Sequence, residues 1–430
     1  MSYESGQTSD WIDLANRLRL FLTGGSGIVN VQYSDGASGS AVGNGKLTAY
    51  SLGASAVNET FTLTCTAAAV DGGTFSVVGS VSGALADATV GVAYTSAYVN
   101  FTITSGTTDW AVGDTITFDS YFSAISNPWT QLAWTPGDVT AGGMNLSVRG
   151  PGAAADKRVF INIRSDHSDA DNRYSWDVRG ATDFVAGSTF GTHPGELPWT
   201  VYLLLWKQPM NYWFYANDRR FIVVVKVNTQ YFSLYAGFFL PWATPEQYPF
   251  PLYIGGSCGW KANHLSTDSS VRSMVDPSGS SSSPGGWVRG ADGVWYGLRN
   301  HESGSANDAP LCGNRGNDGF VWPYQCSNVG SSSGTSGFDY TVWNYGGSSA
   351  ADGGVADHLE ATAQGQRLLC PIYLMRGQEP AGFGALDGVY FPMGGGLTPE
   401  QTATYGGRSF RAFPNVFRIS CNDFFMVEQN

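Results

Sequence analysis

The sequence predicts a mainly β protein built from β-sandwich domains, with a short N-terminal α-helix and long surface loops. Three observations support this class. Short runs of alternating threonine and apolar residues fill much of the region before residue 123, one N-terminal stretch has helical spacing, and runs rich in glycine and serine interrupt the C-terminal half. Alternation with a period of two is typical of half-buried strands, whereas glycine and serine runs are typical of surface loops.

The N-terminal helix is predicted over Asp10 to Thr23, where apolar residues recur three or four positions apart. Asp10 suits the N-cap position, and Gly24 is expected to end the helix. An isolated helix of this length is only marginally stable, so its apolar face must pack against its own domain or against an adjacent subunit. The residues that would form such a subunit interface are Trp11, Leu14, Leu18 and Phe21.

A small β-sandwich module is predicted over residues 29–123, with its core at about 59–119, after an N-terminal helical segment at 1–28. Apolar residues alternate with threonine from Glu59 to Cys65, and Tyr98 to Thr104 repeats this arrangement. Asp71-Gly72-Gly73 and Val112-Gly113-Asp114-Thr115 predict tight turns, because glycine adopts positive φ without a steric penalty.

Residues 124–430 are predicted to form a larger β-sandwich domain with Gly/Ser-rich loops. Its densest apolar runs lie between Trp129 and Phe250, so the main core is expected there. Asn217-Asp218 and Asn228-Thr229 separate consecutive runs, which predicts short hairpins at these positions. The runs SGSSSSPGG at 278–286 and GSSSGTSG at 330–337 predict loops on this domain. No repeat of constant period is visible, which argues against a solenoid, β-helix or propeller.

Charged residues are scarce, at 13% of the chain, and the formal net charge is -12. Lys and Arg are not clustered, so no nucleic-acid partner is expected. Apolar runs are far shorter than a membrane span, and the N-terminus has no secretory signal, so the sequence predicts no membrane insertion and synthesis in the cytoplasm. Such a chain gains solubility either from uncharged polar side chains or from surfaces covered by neighbouring subunits.

No cofactor or metal is expected. The six cysteines include no CxxC pair, and the five histidines form no HxH or HExxH motif. Residues Asp166 to Asn172 alternate oxygen-bearing side chains but lack the glycine and glutamate of a calcium loop, so a polar turn is the preferred interpretation. Cys312 and Cys326 are close enough in sequence to form a disulfide, although cytoplasmic assembly disfavours one.

A non-enzymatic role is expected. Glycoside hydrolysis needs two carboxylates beside a cleft, and the sequence offers candidates without a motif that selects two of them. Those carboxylates belong to Asp166, Asp169, Asp171, Asp177 and Glu196. Several tryptophans suit either a sugar platform or a core, with the core preferred because large aromatics dominate protein interiors. They are Trp199, Trp206, Trp213, Trp242, Trp260, Trp287 and Trp295.

Two groups of motifs resemble proteins of tailed bacteriophages. The segment from Thr60 to Asp119, which contains TFTLTC and WAVGDTITF, resembles a small β module of tail and tail-tip proteins in phages of Gram-negative bacteria. The stretches DWIDLANRLRLFLT, NYWFYANDRRFIVVVKVNTQYFSLYAGFF and GALDGVYFPMGGG are similar to a family of phage virion structural proteins. The resemblance covers most of the chain, and its motifs are structural, without catalytic residues to transfer.

This resemblance implies a structural component of a phage tail, at the tail tip or baseplate, that is assembled in the host cytoplasm. Its partners would be other tail or baseplate proteins and copies of itself, with Arg219 and Arg220 either pairing with a neighbouring subunit or solvated. The alternative is a receptor-binding tail protein that recognises a host glycan or surface protein through exposed loops. A head decoration protein and a polysaccharide depolymerase remain further alternatives. The aromatic residues expected in receptor-binding loops are Trp287, Trp295, Phe338, Tyr340 and Trp343.

Overall fold

A computed structural model describes residues 1–36, 39–152, 156–265, 271, 273–275, 285–299, 319–322, 368–376, 382–393, 397–414 and 424–429. Strands in several mainly antiparallel sheets dominate these residues, and the described residues contain one α-helix. The predicted mainly β, β-sandwich class with a short N-terminal helix is confirmed. The loops predicted at 278–286 and 330–337 lie almost wholly outside the described residues.

The chain divides into two compact units. The large unit consists of Met1–Gly6, Asn127–Trp206 and Asn211–Asn430, and the small unit consists of Gln7–Ser126 and Lys207–Met210. The helix therefore belongs to the small unit, which differs from the separate segment predicted at residues 1–28. An ion pair between Arg17 of the helix and Asp119 of the same unit, at 3.0 Å, agrees with this grouping.

The helix, α1 (Trp11–Thr23), follows strand β1 (Ser2–Thr8). The side chain of Asp10 accepts hydrogen bonds from the backbone amides of Ile12 and Asp13, at 2.7 and 2.9 Å. Gly24 ends the helix in the left-handed conformation, at φ 67°. Both ends therefore lie where the sequence predicts them, because capping chemistry is local.

Replacing the cap tests this arrangement. We expect Asp10→Ala to lower the free energy of unfolding by about 1 kcal/mol, because two amides lose their acceptor. Asp10→Asn retains an acceptor oxygen and serves as the matched control. Hydrogen exchange of the first-turn amides measures the effect, and equal protection in both variants would argue against the cap.

The small unit contains two sheets. One has the order β2-β10-β4-β5-β6, with β7 paired to β5, and the other has the order β3-β9-β8. The strands are β2 (Ser26–Ser34), β3 (Leu47–Leu52), β4 (Glu59–Ala69), β5 (Gly72–Gly79), β6 (Gly83–Ala84), β7 (Ala88–Thr89), β8 (Ala93–Thr95), β9 (Val99–Ile103) and β10 (Thr115–Phe122).

The core of the small unit lies between these sheets. The predicted apolar faces of β4 and β9 are buried within it, while the intervening threonines are partly or fully exposed. Phe118 on β10 stacks on Phe61 of β4 at 5.2 Å between ring centroids and meets Phe101 of β9 edge to face at 6.0 Å. Period-two alternation thus explains how both sheets contribute to one core.

The large unit also has two sheets. Five strands form the order β11-β12-β13-β14-β15, and fourteen described strands, including β1, form the second sheet. The remaining strands are β11 (Thr130–Thr135), β12 (Asn145–Gly150), β13 (Val159–Ser168), β14 (Arg173–Ala181), β15 (Val201–Leu205), β16 (Met210–Ala216), β17 (Arg220–Val227), β18 (Gln230–Phe238), β19 (Leu240–Pro241), β20 (Leu252–Gly255), β21 (Gly286–Arg289), β22 (Trp295–Arg299), β23 (Gly319–Trp322), β24 (Leu368–Arg376), β25 (Gly382–Met393), β26 (Thr402–Tyr405), β27 (Arg408–Pro414) and β28 (Phe424–Glu428).

The two sheets of the large unit pack face to face. A Cβ at Gly180 on β14 would lie 3.1 Å from the side chain of Ile254 on β20, so the sheets approach closely there. Seven of the eight residues of β17 are buried, which explains its nearly continuous apolar sequence. The predicted hairpin turn at Asn228-Thr229 joins β17 to β18, and Asn228 has a φ of 56°.

Candidate functional site

The apolar residues of α1 that were predicted to meet a subunit are buried within the chain. Trp11, Leu14 and Leu18 are 0% exposed and Phe21 is 1% exposed, so the interface prediction is wrong for all four. The alternative, packing against the chain's own domain, agrees with the polar contacts of the helix. Arg17 on α1 pairs with Asp119 on β10 at 3.0 Å.

Arg219 and Arg220 contact a carboxylate of their own unit. The side chain of Arg220 is 0% exposed, and its Nε lies 3.7 Å from Oδ2 of Asp387 on β25. Arg219, which is 32% exposed, reaches the same oxygen at 3.7 Å, and Asn217 donates to it at 2.7 Å. The subunit-interface prediction is therefore wrong for Arg220, because its guanidinium is buried beside Asp387. The partial exposure of Arg219 leaves its role as a prediction.

The predicted receptor-loop aromatics divide into two groups. Trp287 lies on β21 and Trp295 on β22, and they are 7% and 8% exposed, so neither belongs to an exposed loop. Their indoles are covered because Trp287 stacks on Trp199 at 4.0 Å and Trp295 donates to the carbonyl of Gly195. The other predicted residues, Phe338, Tyr340 and Trp343, lie outside the described residues.

Two other tryptophans are exposed. Trp199 is 46% and Trp242 is 55% exposed. The Trp242 ring lies 5.5 Å from the Tyr373 ring, and a Cβ at residue Gly382 would come within 1.8 Å of the indole. Glycine at position 382 therefore allows the indole to lie directly on the backbone, while about half of the side chain remains exposed.

The five carboxylates considered for hydrolysis lie on or beside the five-stranded sheet, and each accepts contacts from its surroundings. Asp166 pairs with Arg173 at 3.1 Å, and Arg173 also pairs with Asp171. Tyr174 donates to Asp169, while Glu196 accepts from the Asn162 side chain and the His193 amide. Four of the five therefore take part in hydrogen bonds or ion pairs within the large unit. Of the predicted polar turn from Asp166 to Asn172, residues 169–172 connect β13 to β14, whereas Asp166 to Ser168 form the end of β13.

Asp177 is the most deeply buried of the five, at 0% exposed. Its Oδ2 accepts from Arg164 at 3.0 Å and lies 3.6 Å from Arg179, and the ring of Phe190 is within 5 Å of both guanidiniums. None of the described residues donates to its Oδ1. Burial raises the pKa of Asp177, and the two arginines oppose that rise only in part.

The raised pKa of Asp177 predicts a pH effect. Because the folded pKa exceeds the unfolded one, the contribution of Asp177 to stability is fully present below its unfolded pKa and declines as pH rises through the folded value. We therefore expect the free energy of unfolding of the native chain, relative to that of Asp177→Asn, to decrease as the pH rises from acid towards neutral. Denaturant titrations across this range measure it, with Asp183→Asn as an exposed control, and an opposite slope would contradict the assignment.

Possible metal ligands and cysteines are the remaining candidates for chemistry among the described residues. These residues contain no group of three or more His, Cys, Asp or Glu side chains that could hold a metal ion. Cys65 and Cys258 are buried thiols, and burial raises the pKa of the Cys65 thiol. Cys312 and Cys326, the pair considered for a disulfide, lie outside the described residues.

One end of the small unit exposes four valines, each on a different connection. We call this surface the valine end. It lies where β4 and β9 end and where β5, β8 and β10 begin, opposite the Phe122 end of β10. Its valines are Val42, Val70, Val92 and Val112, which are 59%, 84%, 57% and 67% exposed.

Two carboxylates hold the connections of the valine end in place. Asp114, only 1% exposed, accepts hydrogen bonds from the amides of Val42, Gly43 and Ala111, each at 2.9 Å. Asp109 accepts from the amide of Asp71 at 2.8 Å. The amide of Val90 donates to the carbonyl of Gly73 at 3.0 Å, which joins the turn that carries Val92 to the start of β5. The valines are therefore presented by fixed backbone.

A buried tryptophan packs against the loop that carries Val42 at the valine end. Trp110 is 1% exposed, donates to the carbonyl of Thr104 at 2.9 Å and meets the ring of Phe75 edge to face. A Cβ at Gly43 or Gly45 would lie within 2.8 Å of its indole. Glycine at these two positions lets the loop that carries Val42 pack directly on the ring.

The sequence turns at Asp71-Gly72-Gly73 and Val112-Gly113-Asp114-Thr115 predicted two of these connections, and the structure confirms both. Sequence reasoning missed the exposure of the valines they carry. The sequence places Val112 in a turn, but valine is common in strands and cores, so the residue type does not indicate that Val70 or Val112 is exposed. The available signal was their position directly beside the turn residues, at or beyond the strand ends.

Comparisons with known proteins do not assign the chain to a family. No protein-family model matches the chain, and no curated protein matches it. Among solved structures, the chain is similar to FlgL of Xanthomonas campestris at 24% identity, covering 24% of this chain and 31% of the FlgL chain, with a TM-score of 0.18. The match therefore spans about a third of the FlgL chain. The described residues contain no helix long and apolar enough to cross a membrane.

Proposed function

We propose that this chain is a non-enzymatic structural component of a bacteriophage tail, at the tail tip or baseplate, where it joins neighbouring virion proteins. The main support for the proposal is that the small unit has few basic residues and several exposed apolar side chains. Residues 7–126 contain only three basic and nine acidic residues, while eight large apolar side chains of the same stretch are exposed. Surfaces with few charges and several exposed apolar groups favour contact with other proteins.

Two further features support this proposal. The motifs that resemble phage virion proteins fall on structural elements, since DWIDLANRLRLFLT contains α1 and YWFYANDRRFIVVVKV spans most of β16 and β17. The carboxylates beside the five-stranded sheet are engaged by arginine, amide or hydroxyl donors, which suits a scaffold. The virion location itself rests on the sequence resemblance.

Mass spectrometry of purified particles tests the proposal. We expect peptides from this chain to co-purify with infectious particles, in several copies per particle, and to persist after a high-salt wash. A matched preparation from uninfected host cells controls for contamination. Absence of the chain from the particles would overturn the proposal.

Receptor binding is the second candidate, favoured by the exposed indole of Trp242. A ring seated on the backbone of Gly382 beside Tyr373 offers a fixed aromatic surface, which suits the apolar face of a sugar or an apolar side chain. Purified chain on a host-polysaccharide array tests this function. Binding that is lost in Trp242→Ala and retained in Leu240→Ala would support it, and no binding by the native chain would count against it.

A further inference from the structure

We infer that the valine end is a docking surface for a different virion protein, one that presents an apolar patch flanked by lysine or arginine. This inference rests on the proposed structural role and adds the location and the chemistry of one contact. Four valines from four connections lie at this end, and each is more than half exposed. Their removal from water on contact with a partner supplies the driving force for docking.

The rigidity of the surface favours specific docking. Asp114 holds the connections that carry Val42 and Val112, and Asp109 holds the turn that carries Val70. Because these connections are ordered by hydrogen bonds within the unit, association loses less conformational entropy than docking of flexible loops would. Preorganised apolar groups of this kind suit a partner with a complementary fixed surface.

The acidic side chains at the valine end indicate what kind of partner would bind there. Asp71 and Asp109 are exposed at the valine end, and residues 7–126 carry nine acidic against three basic side chains. The one lysine in this stretch, Lys46, has its ammonium 4.6 Å from the centre of the Tyr33 ring. A partner with basic residues around an apolar patch therefore complements this surface.

The acidic charge and the valine side chains of this surface disfavour a second copy of the chain, an anionic membrane or a sugar as the occupant. A second copy of the valine end would bring like carboxylates together, which opposes a symmetric contact. Anionic lipid surfaces attract basic segments, and this end is acidic. Valine side chains also lack the aromatic faces that stack on sugars. A heterologous protein contact is the remaining occupant that matches both the apolar and the acidic character.

Incorporation into particles provides the first test. The double variant V70S/V112S removes two exposed apolar groups, and V81S, at 70% exposure on the turn between β5 and β6, is the matched control at the other end. In phage carrying these variants, we expect roughly tenfold less V70S/V112S chain per particle, as for loss of hot-spot contacts, and a native amount of V81S chain. Equal incorporation of all three chains would overturn the inference while leaving the proposed function intact. Absence of the native chain from particles would overturn both.

Photocrosslinking identifies the occupant. With benzoylphenylalanine at position 70 or 81 of the full chain, we expect particles to yield a crosslink from position 70 to one other virion protein, at a peptide containing apolar and basic residues. Removal of charge by D71N/D109N, which keeps an acceptor oxygen for the amide of residue 71, should weaken that crosslink. A crosslink to a second copy of this chain, or equal crosslinking from both positions, would overturn the assignment. Flotation with vesicles of phosphatidylethanolamine and phosphatidylglycerol that depends on Val70 would also overturn it.

Discussion

Removing Asp387 should destabilise the large unit by about 3–5 kcal/mol, because it leaves the buried Arg220 guanidinium without its opposite charge. Arg220 is 0% exposed, and its Nε and Nη1 donate no hydrogen bond to any of the described residues, so the nearby carboxylate is its main compensation. Asp387 also accepts from Asn217, which positions the turn before β17. Denaturant unfolding of Asp387→Ala, followed by hydrogen exchange of the β17 amides, measures this loss.

Two further variants separate charge from packing. Asp218→Ala removes a carboxylate that is 34% exposed and lies 3.6 Å from Arg219, and its effect should be within about 0.5 kcal/mol. Adding Arg220→Met to Asp387→Ala removes the uncompensated charge and should restore part of the stability. A double variant less stable than Asp387→Ala alone would contradict this electrostatic explanation.

Removing Asp114 should destabilise the small unit by about 3 kcal/mol and loosen the valine end, because three buried or partly buried amides lose their acceptor. The carboxylate accepts from Val42, Gly43 and Ala111 and therefore joins two connections that are distant in sequence. Hydrogen exchange of these amides and of β10 in Asp114→Ala measures the local and the wider effects.

Asp109→Ala is the control for this prediction. Asp109 is exposed and accepts one amide hydrogen bond, from Asp71, so its loss should cost at most about 1 kcal/mol. The amides of Val42 and Gly43 should stay protected in that variant. Equal loss of protection in the two variants would show that Asp114 does not organise the valine end.

Local features of the fold were predictable from the sequence. Asp10 and Gly24 define the ends of α1 through capping chemistry, and alternation in Glu59 to Cys65 identified the buried face of β4. The turn at Asn228-Thr229 was predicted because asparagine tolerates a positive φ. Each of these depends on neighbours within a few residues.

Features that depend on distant residues were missed. Arg220 and Asp387 are 167 positions apart, so their pairing has no local sequence signature. Trp287 and Trp295 stand beside glycine-rich sequence and seemed to belong to loops, yet they lie on strands whose neighbours cover the indoles. The exposed valines are a further case, because valine is common in strands and cores and the residue type does not indicate exposure on a connection.

The most direct test of the proposed virion role is an electron cryomicroscopy map of the intact particle in which the chain is located. We expect density for its β units at the tail tip or baseplate, with the valine end against a different virion protein and basic side chains opposite Asp71 and Asp109. Particles that are complete and infectious yet contain no density for this chain would contradict the structural role.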